Sequence, residues 1–123
     1  MKISIQIAKT FLKLHKLKIY HGHLSSSNIL FDNNYNVKIA DIGFNSLKKY
    51  MSLKQSYTNK TYFSAPEHIE EKGLVVKNAN SKSDVYSFGL ILWEIFMETE
   101  AFEKLSLTNL KKIIISENSR PKI

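Results

Sequence analysis

Apolar residues recur at Ile3, Ile7, Phe11 and Leu14, with Ala8 and Leu12 widening the stripe, while Lys9, Lys13 and Lys16 fall on other faces. That spacing predicts an amphipathic helix at the start of the chain, because positions three and four apart share one face. Two short β-rich runs follow, residues 28–31 and 36–40, on either side of Asp32, Asn33, Asn34 and Tyr35. A cluster of turn formers between such runs predicts a small hairpin. Residues 44–64 are polar, rich in hydroxyls and without period, which predicts a long surface loop of the kind that carries function. Pro66 is placed to restart a helix. Ser81 or Ser83 is suited to cap a further helix over residues 84–97, and that helix is apolar nearly all round, so it is expected to form the buried axis of the core. A last helix over residues 107–116 precedes Pro121, which blocks its simple continuation. No internal repeat is present, and a single domain over residues 1–123 is expected.

Composition narrows the partners. A chain of 123 residues that is 43% hydrophobic has enough apolar material for one core. Eighteen Lys and Arg against eleven Asp and Glu give a net charge of +7, a balance that suits an acidic partner, nucleic acid or an anionic membrane surface. The basic residues are dispersed, however, and the densest groups are pairs, Lys48 with Lys49 and Lys111 with Lys112. That is the pattern of a solvated basic face, and neither nucleic acid nor membrane is expected as a partner. The absence of cysteine excludes disulfide and thiolate chemistry and fits a reducing compartment. The longest apolar stretch, residues 88–97, is interrupted by Glu94 and is about half of the ~20 residues that cross a bilayer. No secretory-type succession opens the chain, so a cytoplasmic location is expected. The surplus of Lys, Ile, Asn, Tyr and Phe is what AT-rich codons produce, which speaks of the genome and not of function.

Candidate chemistry lies in four short motifs. His21-Gly-His-Leu-Ser-Ser-Ser-Asn28, Asp41-Ile-Gly43, Ala65-Pro-Glu67 and Asp84-Val-Tyr-Ser-Phe-Gly89 follow one another along the chain. In order, spacing and predicted element they resemble the catalytic loop, metal-binding loop, activation-segment end and central helix of the protein kinases. One three-residue match arises easily by chance, whereas four in the right order and on the right elements do not. The resemblance implies a mainly α fold, the C-terminal lobe of a protein-kinase-like domain with its helices and a small β-hairpin. It also implies truncation at both ends, with the N-lobe and final helices absent. Ala65, Pro66, Glu67, Asp84 and Gly89 would then be structural motif residues.

The same resemblance marks what is altered. In kinases the loop aspartate accepts the proton of the substrate hydroxyl, and a nearby lysine steadies the transferring phosphate. Those places hold His23 and Ser25. An imidazole can take a proton near neutral pH, but it is larger than a carboxylate and offers a ring nitrogen where the hydroxyl must dock. The expectation is a degenerate catalytic loop at His21, Gly22, His23 and Ser25, with no catalytic residue and no enzymatic activity. Gly22 stands where many regulated kinases keep an arginine for an activation-loop phosphate. Asn28 and Asp41 occupy the metal-holding positions and would be vestigial ligands, Asn28 being equally suited to tie the loop backbone together. With no glycine-rich loop or strand lysine, no cofactor is expected beyond a vestigial magnesium and ATP site. Arg120 lies too early to be the arginine that pairs with the glutamate at position 67 in the family.

Residues 20–30, 35–40 and 86–95 look most like the mixed lineage kinase domain-like pseudokinases. This finer resemblance implies a protein that binds a kinase of the receptor-interacting type. In a viral homologue, such as poxviruses carry, it implies a decoy that occupies receptor-interacting protein kinase 3 and blocks necroptosis. Two alternatives stand beside it: a C-lobe fragment of an active Ser/Thr or Tyr kinase with His23 or another residue as base, and a non-functional truncated reading frame. Ser56, Tyr57, Thr58, Thr61 and Tyr62 make the loop a candidate substrate for another kinase. Phe102, Leu105, Leu107 and Leu110 suit either docking or core packing, and core packing is preferred.

Overall fold

The computed structural model describes residues 2–43, 61–70, 73–74, 79–102, 105–106, 109 and 112–122. Helix α1, Lys2–Lys16, buries Ile7 and Phe11, and Leu14 packs against the same cluster. Ile3 and Leu12, at the edges of the predicted stripe, are exposed. The helix ends where Lys18 takes a left-handed conformation, φ 59°. The Ile19 amide then donates to the Leu14 carbonyl and the Lys18 amide to the His15 carbonyl, both at 3.0 Å. This paired closure satisfies carbonyls that a helix end leaves open.

The predicted hairpin is present, with β1, Ile29–Phe31, antiparallel to β2, Val37–Ile39. Its turn is organised by Asp32, whose Oδ1 accepts the amides of Asn34 and Asn36, each at 2.9 Å. Gln6 of α1 ties the hairpin down, its Oε1 accepting the Val37 amide at 2.7 Å. A second, minimal antiparallel pair joins β3, Ile69–Glu70, to β4, Gly73–Leu74.

Helix α2, Ser81–Met97, is longer than predicted, and its cap is Asn80 rather than Ser81 or Ser83. The Asn80 side chain accepts the Lys82 and Ser83 amides, and Ser83 Oγ accepts the Asn80 amide in return, a reciprocal box that satisfies the helix's first donors. The helix is not buried all round. Val85 and Phe96 are 61% and 68% exposed, while the buried face carries Ser83, Asp84 and Ser87 beside Leu90 and Ile91. Its inner side is therefore partly polar and its outer side partly apolar, an arrangement that hydrophobic periodicity alone does not reveal.

The core joins Ile7 and Phe11 of α1, Leu24, Phe63, Leu90 and Ile91 of α2, and Ala101. Ile7 is wholly buried, a burial that stabilises the fold by roughly 1.5–3 kcal/mol. A smaller cluster of Ile69 and Ile114 is linked to the first by Tyr62 and Phe102, which pack against both. Phe102 thus belongs to the packing, Leu105 is exposed, and Leu107 and Leu110 lie outside the described residues. Pro66 opens only a short 3-10 turn, Pro66–His68, and the last predicted helix is described as a π-helical turn, Lys112–Ser116. Among the described residues no helix is long and apolar enough to cross a membrane. The chain is helix-rich with a small antiparallel hairpin, the fold class expected of a protein-kinase-like C-terminal lobe.

Candidate functional site

The loop over residues 20–28 is held from α2. Asp84 lies in the first turn of that helix and is 1% exposed. Its Oδ2 accepts the His21 amide at 2.9 Å, its Oδ1 accepts the Gly22 amide at 2.8 Å, and His15 Nε2 lies 2.9 Å from Oδ2. A carboxylate so deep is tolerated because donors occupy both of its oxygens. Gly22 has φ +71°, a left-handed conformation that glycine adopts without steric cost, and it lets two successive amides converge on one carboxyl group.

His21 is buried and bridges two elements. Its Nδ1 accepts the His23 amide at 3.2 Å and its Nε2 meets the Ala40 carbonyl, an acceptor, at 2.8 Å. The ring is therefore in the Nε2–H tautomer, joining the loop to the end of β2. Asn28 Nδ2 donates to the His23 carbonyl at 3.1 Å, so the backbone of His23 is gripped on both sides. Ser25 is buried, with its Oγ 2.9 Å from that of Ser27. It braces the loop from within. His23 itself is half-buried at the loop's turn.

Asp41 follows Ala40, whose amide donates to the Asn28 carbonyl at 2.9 Å, so the backbone hydrogen bond sets Asp41 beside Asn28. Asp41 is exposed and left-handed, φ 61°, and Gly43 is left-handed too, φ 76°. A non-glycine residue in that region is uncommon, although aspartate tolerates it better than most. Ser27 Oγ donates to Asn28 Oδ1 at 3.3 Å. The Asp41 carboxylate and the Asn28 side-chain carbonyl are each oxygens of the kind a hard divalent cation prefers. Among the described residues no group of three or more His, Asp or Glu could hold a metal. A cation at Asn28 and Asp41 would therefore take further oxygens from a bound phosphate or water, as magnesium commonly does.

The end of the activation-type segment packs against the same helix. Ser87 Oγ donates to the Phe63 carbonyl at 2.6 Å, and Tyr62 Oη donates to Glu94 Oε1 at 3.1 Å. Asp84, Ser87 and Glu94 recur at helical spacing, which puts one carboxylate, one hydroxyl and a second carboxylate along a single face. Burial, reinforced by the charges of Glu94 and Glu100, pushes the Tyr62 hydroxyl well above the ordinary tyrosine range. Ala65 is buried and Glu67 exposed. Arg120 packs over the Tyr86 ring, 5.4 Å from its centroid. Among the described residues the buried Tyr86 hydroxyl has no hydrogen-bond partner, and burial raises its pKa. Thr61 begins the 3-10 turn Thr61–Phe63, whereas Ser56, Tyr57 and Thr58 lie outside the described residues.

Sequence reasoning missed His15. Its ring lies 5.5 Å from those of both Phe11 and Tyr20 and it shares Asp84 with the loop. The available signal was a histidine in the last turn of an amphipathic helix, four residues after a core phenylalanine. The partner lies far along the chain, and no local pattern could supply it.

The chain is similar to several curated protein kinases. It is 31% identical to human receptor-interacting serine/threonine-protein kinase 1 across 99% of its own length and 20% of that protein. It is 33% identical to the putative serine/threonine-protein kinase/receptor R818 of Acanthamoeba polyphaga mimivirus, across 100% of the chain and 8% of the relative. It is 31% identical to serine/threonine-protein kinase STY46 of Arabidopsis thaliana, across 99% of the chain and 20% of the relative. The chain thus spans a fifth or less of the length of these proteins. These relatives overturn the expectation that the chain is not an enzyme, because they are named as serine/threonine protein kinases. Residues 1–123 match the family of protein tyrosine and serine/threonine kinases throughout, and the chain belongs to that family.

Proposed function

We propose that this chain is the substrate-side portion of a protein kinase domain, which transfers the γ-phosphoryl group of ATP to a protein hydroxyl. The observation that carries the reading is the shape of the loop over residues 20–28. Asp84 fixes its entry, Asn28 fixes the His23 carbonyl, and the loop turns around His23. In phosphoryl transfer, positioning and electrostatics supply most of the catalysis, and the proton acceptor must stand at such a turn. An imidazole is a competent acceptor near neutral pH, and His23 takes that role here. Asn28 and Asp41 would hold magnesium, which neutralises charge on the nucleotide phosphates when bound.

The test is phosphate incorporation into a generic protein substrate by the full-length polypeptide that carries this chain, supplied with magnesium and ATP. Incorporation is expected, with loss on His23→Ala and on Asp41→Asn. Failure of the unmodified protein, together with failure of His23→Asp to restore transfer, would sink the reading.

A second reading concerns partners. The similarity to human receptor-interacting serine/threonine-protein kinase 1 extends over nearly the whole chain, which favours a partner of the receptor-interacting kinase type and, more specifically, a decoy role toward such a kinase in necroptosis. Co-precipitation of the tagged full-length polypeptide with a receptor-interacting kinase checks this. Capture of neither that kinase nor a relative in a lysate that contains both would end it.

A further inference from the structure

Helix α1 gathers its charge on one side. Lys2, Lys9, Lys13 and Lys16 are all exposed, and at 3.6 residues per turn they fall within an arc of about 60°, opposite the side that buries Ile7 and Phe11. The stripe runs the length of the helix, roughly 20 Å at a rise of about 1.5 Å per residue. It has no acidic counterpart nearby. The first Asp or Glu of the chain is Asp32, and among the described residues the ion pairs are His15 with Asp84 and Lys38 with Asp32. A solvated helix face gains from mixed signs, because a Glu four residues before a Lys stabilises the helix whereas two lysines at that spacing repel. Here Lys9 and Lys13 are four apart, and Lys13 and Lys16 three apart. Lys13 and Lys16, in the last turn, suit the helix dipole, but Lys2 opens the helix, where the positive end of the dipole disfavours a cation. The stripe therefore works partly against the stability of the helix that carries it, and solvation alone does not call for that.

We propose that this face of α1 is a docking surface for an acidic amphipathic helix of a partner protein. Beside the lysines, Ile5 and Leu12 are 50% and 58% exposed. They stand seven residues apart, as do Lys2 and Lys9, and Lys9 and Lys16. Two adjacent rows, one cationic and one aliphatic, thus repeat every two turns. A helix laid alongside repeats its own side chains at the same interval, and one that carries carboxylates beside a row of leucines matches both rows. Complementary charge steers and selects such a partner, while the aliphatic row gives it apolar surface to bury. Nucleic acid is the poorer fit, because α1 has no arginine and buries Phe11, leaving no phenyl ring to stack on a base. Lipid is poorer too, because the strongly apolar side of the helix is turned into the core and has nothing left to enter a bilayer. The surface lies on the outside of α1 and needs no phosphoryl transfer, so this inference goes beyond the proposed function.

The probe is a fluorescein-labelled synthetic peptide of about three heptads, with glutamate and leucine in matching rows. It is titrated with the full-length polypeptide that carries this chain, and fluorescence anisotropy is read. Binding is expected at low ionic strength, weakening as salt rises through about 0.15 M, where charges more than ~8 Å apart are screened. No binding overturns the proposal, as does equal binding of the same peptide with lysine in place of glutamate. Lys2→Glu combined with Lys9→Glu should weaken binding about tenfold. The same pair should raise the midpoint of thermal unfolding, because it puts an anion at the helix start and another four residues before Lys13. Weaker binding by a more stable protein cannot come from unfolding. Lys112→Glu combined with Lys122→Glu changes the net charge equally at exposed positions away from α1, and should alter affinity by less than about twofold. An equal loss in the two pairs would reduce the stripe to bulk charge and overturn the site. Tighter binding of duplex DNA, or of vesicles containing phosphatidylserine, through Lys2 and Lys9 would overturn the protein partner.

Discussion

Asp84 and Glu94 project from one face of α2, yet they hold their segments in different ways. Asp84 is almost fully buried and uses both oxygens, with two backbone amides and the His15 ring as partners. The loop that it grips has further ties of its own, through His21 to Ala40 and Asn28 to His23. Glu94 is only half-buried, and one of its oxygens takes both the Tyr62 hydroxyl and the Ala101 amide. The first arrangement is a network with several anchors. The second is a joint in which, among the described residues, the polar ties run through one Glu94 oxygen and through Ser87, which donates to the Phe63 carbonyl. A single rigid helix can therefore fix one functional segment and leave its neighbour adjustable, the difference lying in depth and redundancy and not in the type of residue.

Removing Asp84 tests the contrast most severely. Asp84→Ala takes an acceptor from the buried His21 amide, the half-buried Gly22 amide and His15, and should cost about 3–5 kcal/mol of stability, the range seen when one partner of a buried charged network is lost. Urea denaturation gives the value, and a loss below about 1 kcal/mol would show that the network does not hold the loop. Asn80→Ala breaks the reciprocal cap at the base of the helix and should cost about 1 kcal/mol, with hydrogen exchange rising at Ser83 and the loop over residues 20–28 before it rises at residues 61–63. Equal acceleration in both places would show that the two segments do not report on different ends of the helix. Tyr62→Phe removes one half-buried hydrogen bond and should cost about 0.5–1.5 kcal/mol. If it proved as damaging as Asp84→Ala, the joint would be no weaker than the network.

The smallest effect lies at the hairpin tip. Hydrogen bonds from Asn36, by backbone and then by side chain, hold the Asp32 carboxyl below its ordinary value of 3.8. A depressed folded-state value means that the contribution is present above the unfolded value and fades as pH falls through the folded one. The turn should therefore be unchanged from neutrality to about pH 4 and loosen only in stronger acid. Amide shifts of Asn34 and Asn36 would show this, and a transition near neutral pH would assign the turn to some other group. Asp32 is solvent-exposed, so the global stability should barely register it.

What the sequence disclosed was local or periodic. The stripe through Ile7 and Phe11, the turn formers at residues 32–35 and the four ordered motifs each announce themselves within a few residues. The hairpin and the fold class followed from them. The cap was misassigned because Asn80, Ser81 and Ser83 are all competent capping residues, and only the entry direction of the backbone selects among them. The expectation of a uniformly buried α2 failed for a different reason. Its inward polar residues serve distant partners, with Asp84 reaching His21 and Ser87 reaching Phe63, and such long-range service leaves no period in the chain. The expectation of inactivity, argued from His23, Ser25, Gly22 and the lack of a glycine-rich loop and strand lysine, is overturned by the relatives, which are named as serine/threonine protein kinases.

The grip of Asp84 also bears on how the chain is made. Its amide partners precede it by 63 and 62 residues, so the loop that is synthesised early lacks its anchor until α2 has emerged. Closing so long an interval costs chain entropy before any contact is gained. During translation, at roughly 5–20 residues per second, the polypeptide therefore spends several seconds with the His21 and Gly22 amides bound to water. Of the loop and α2, the one written earlier is completed only with the later.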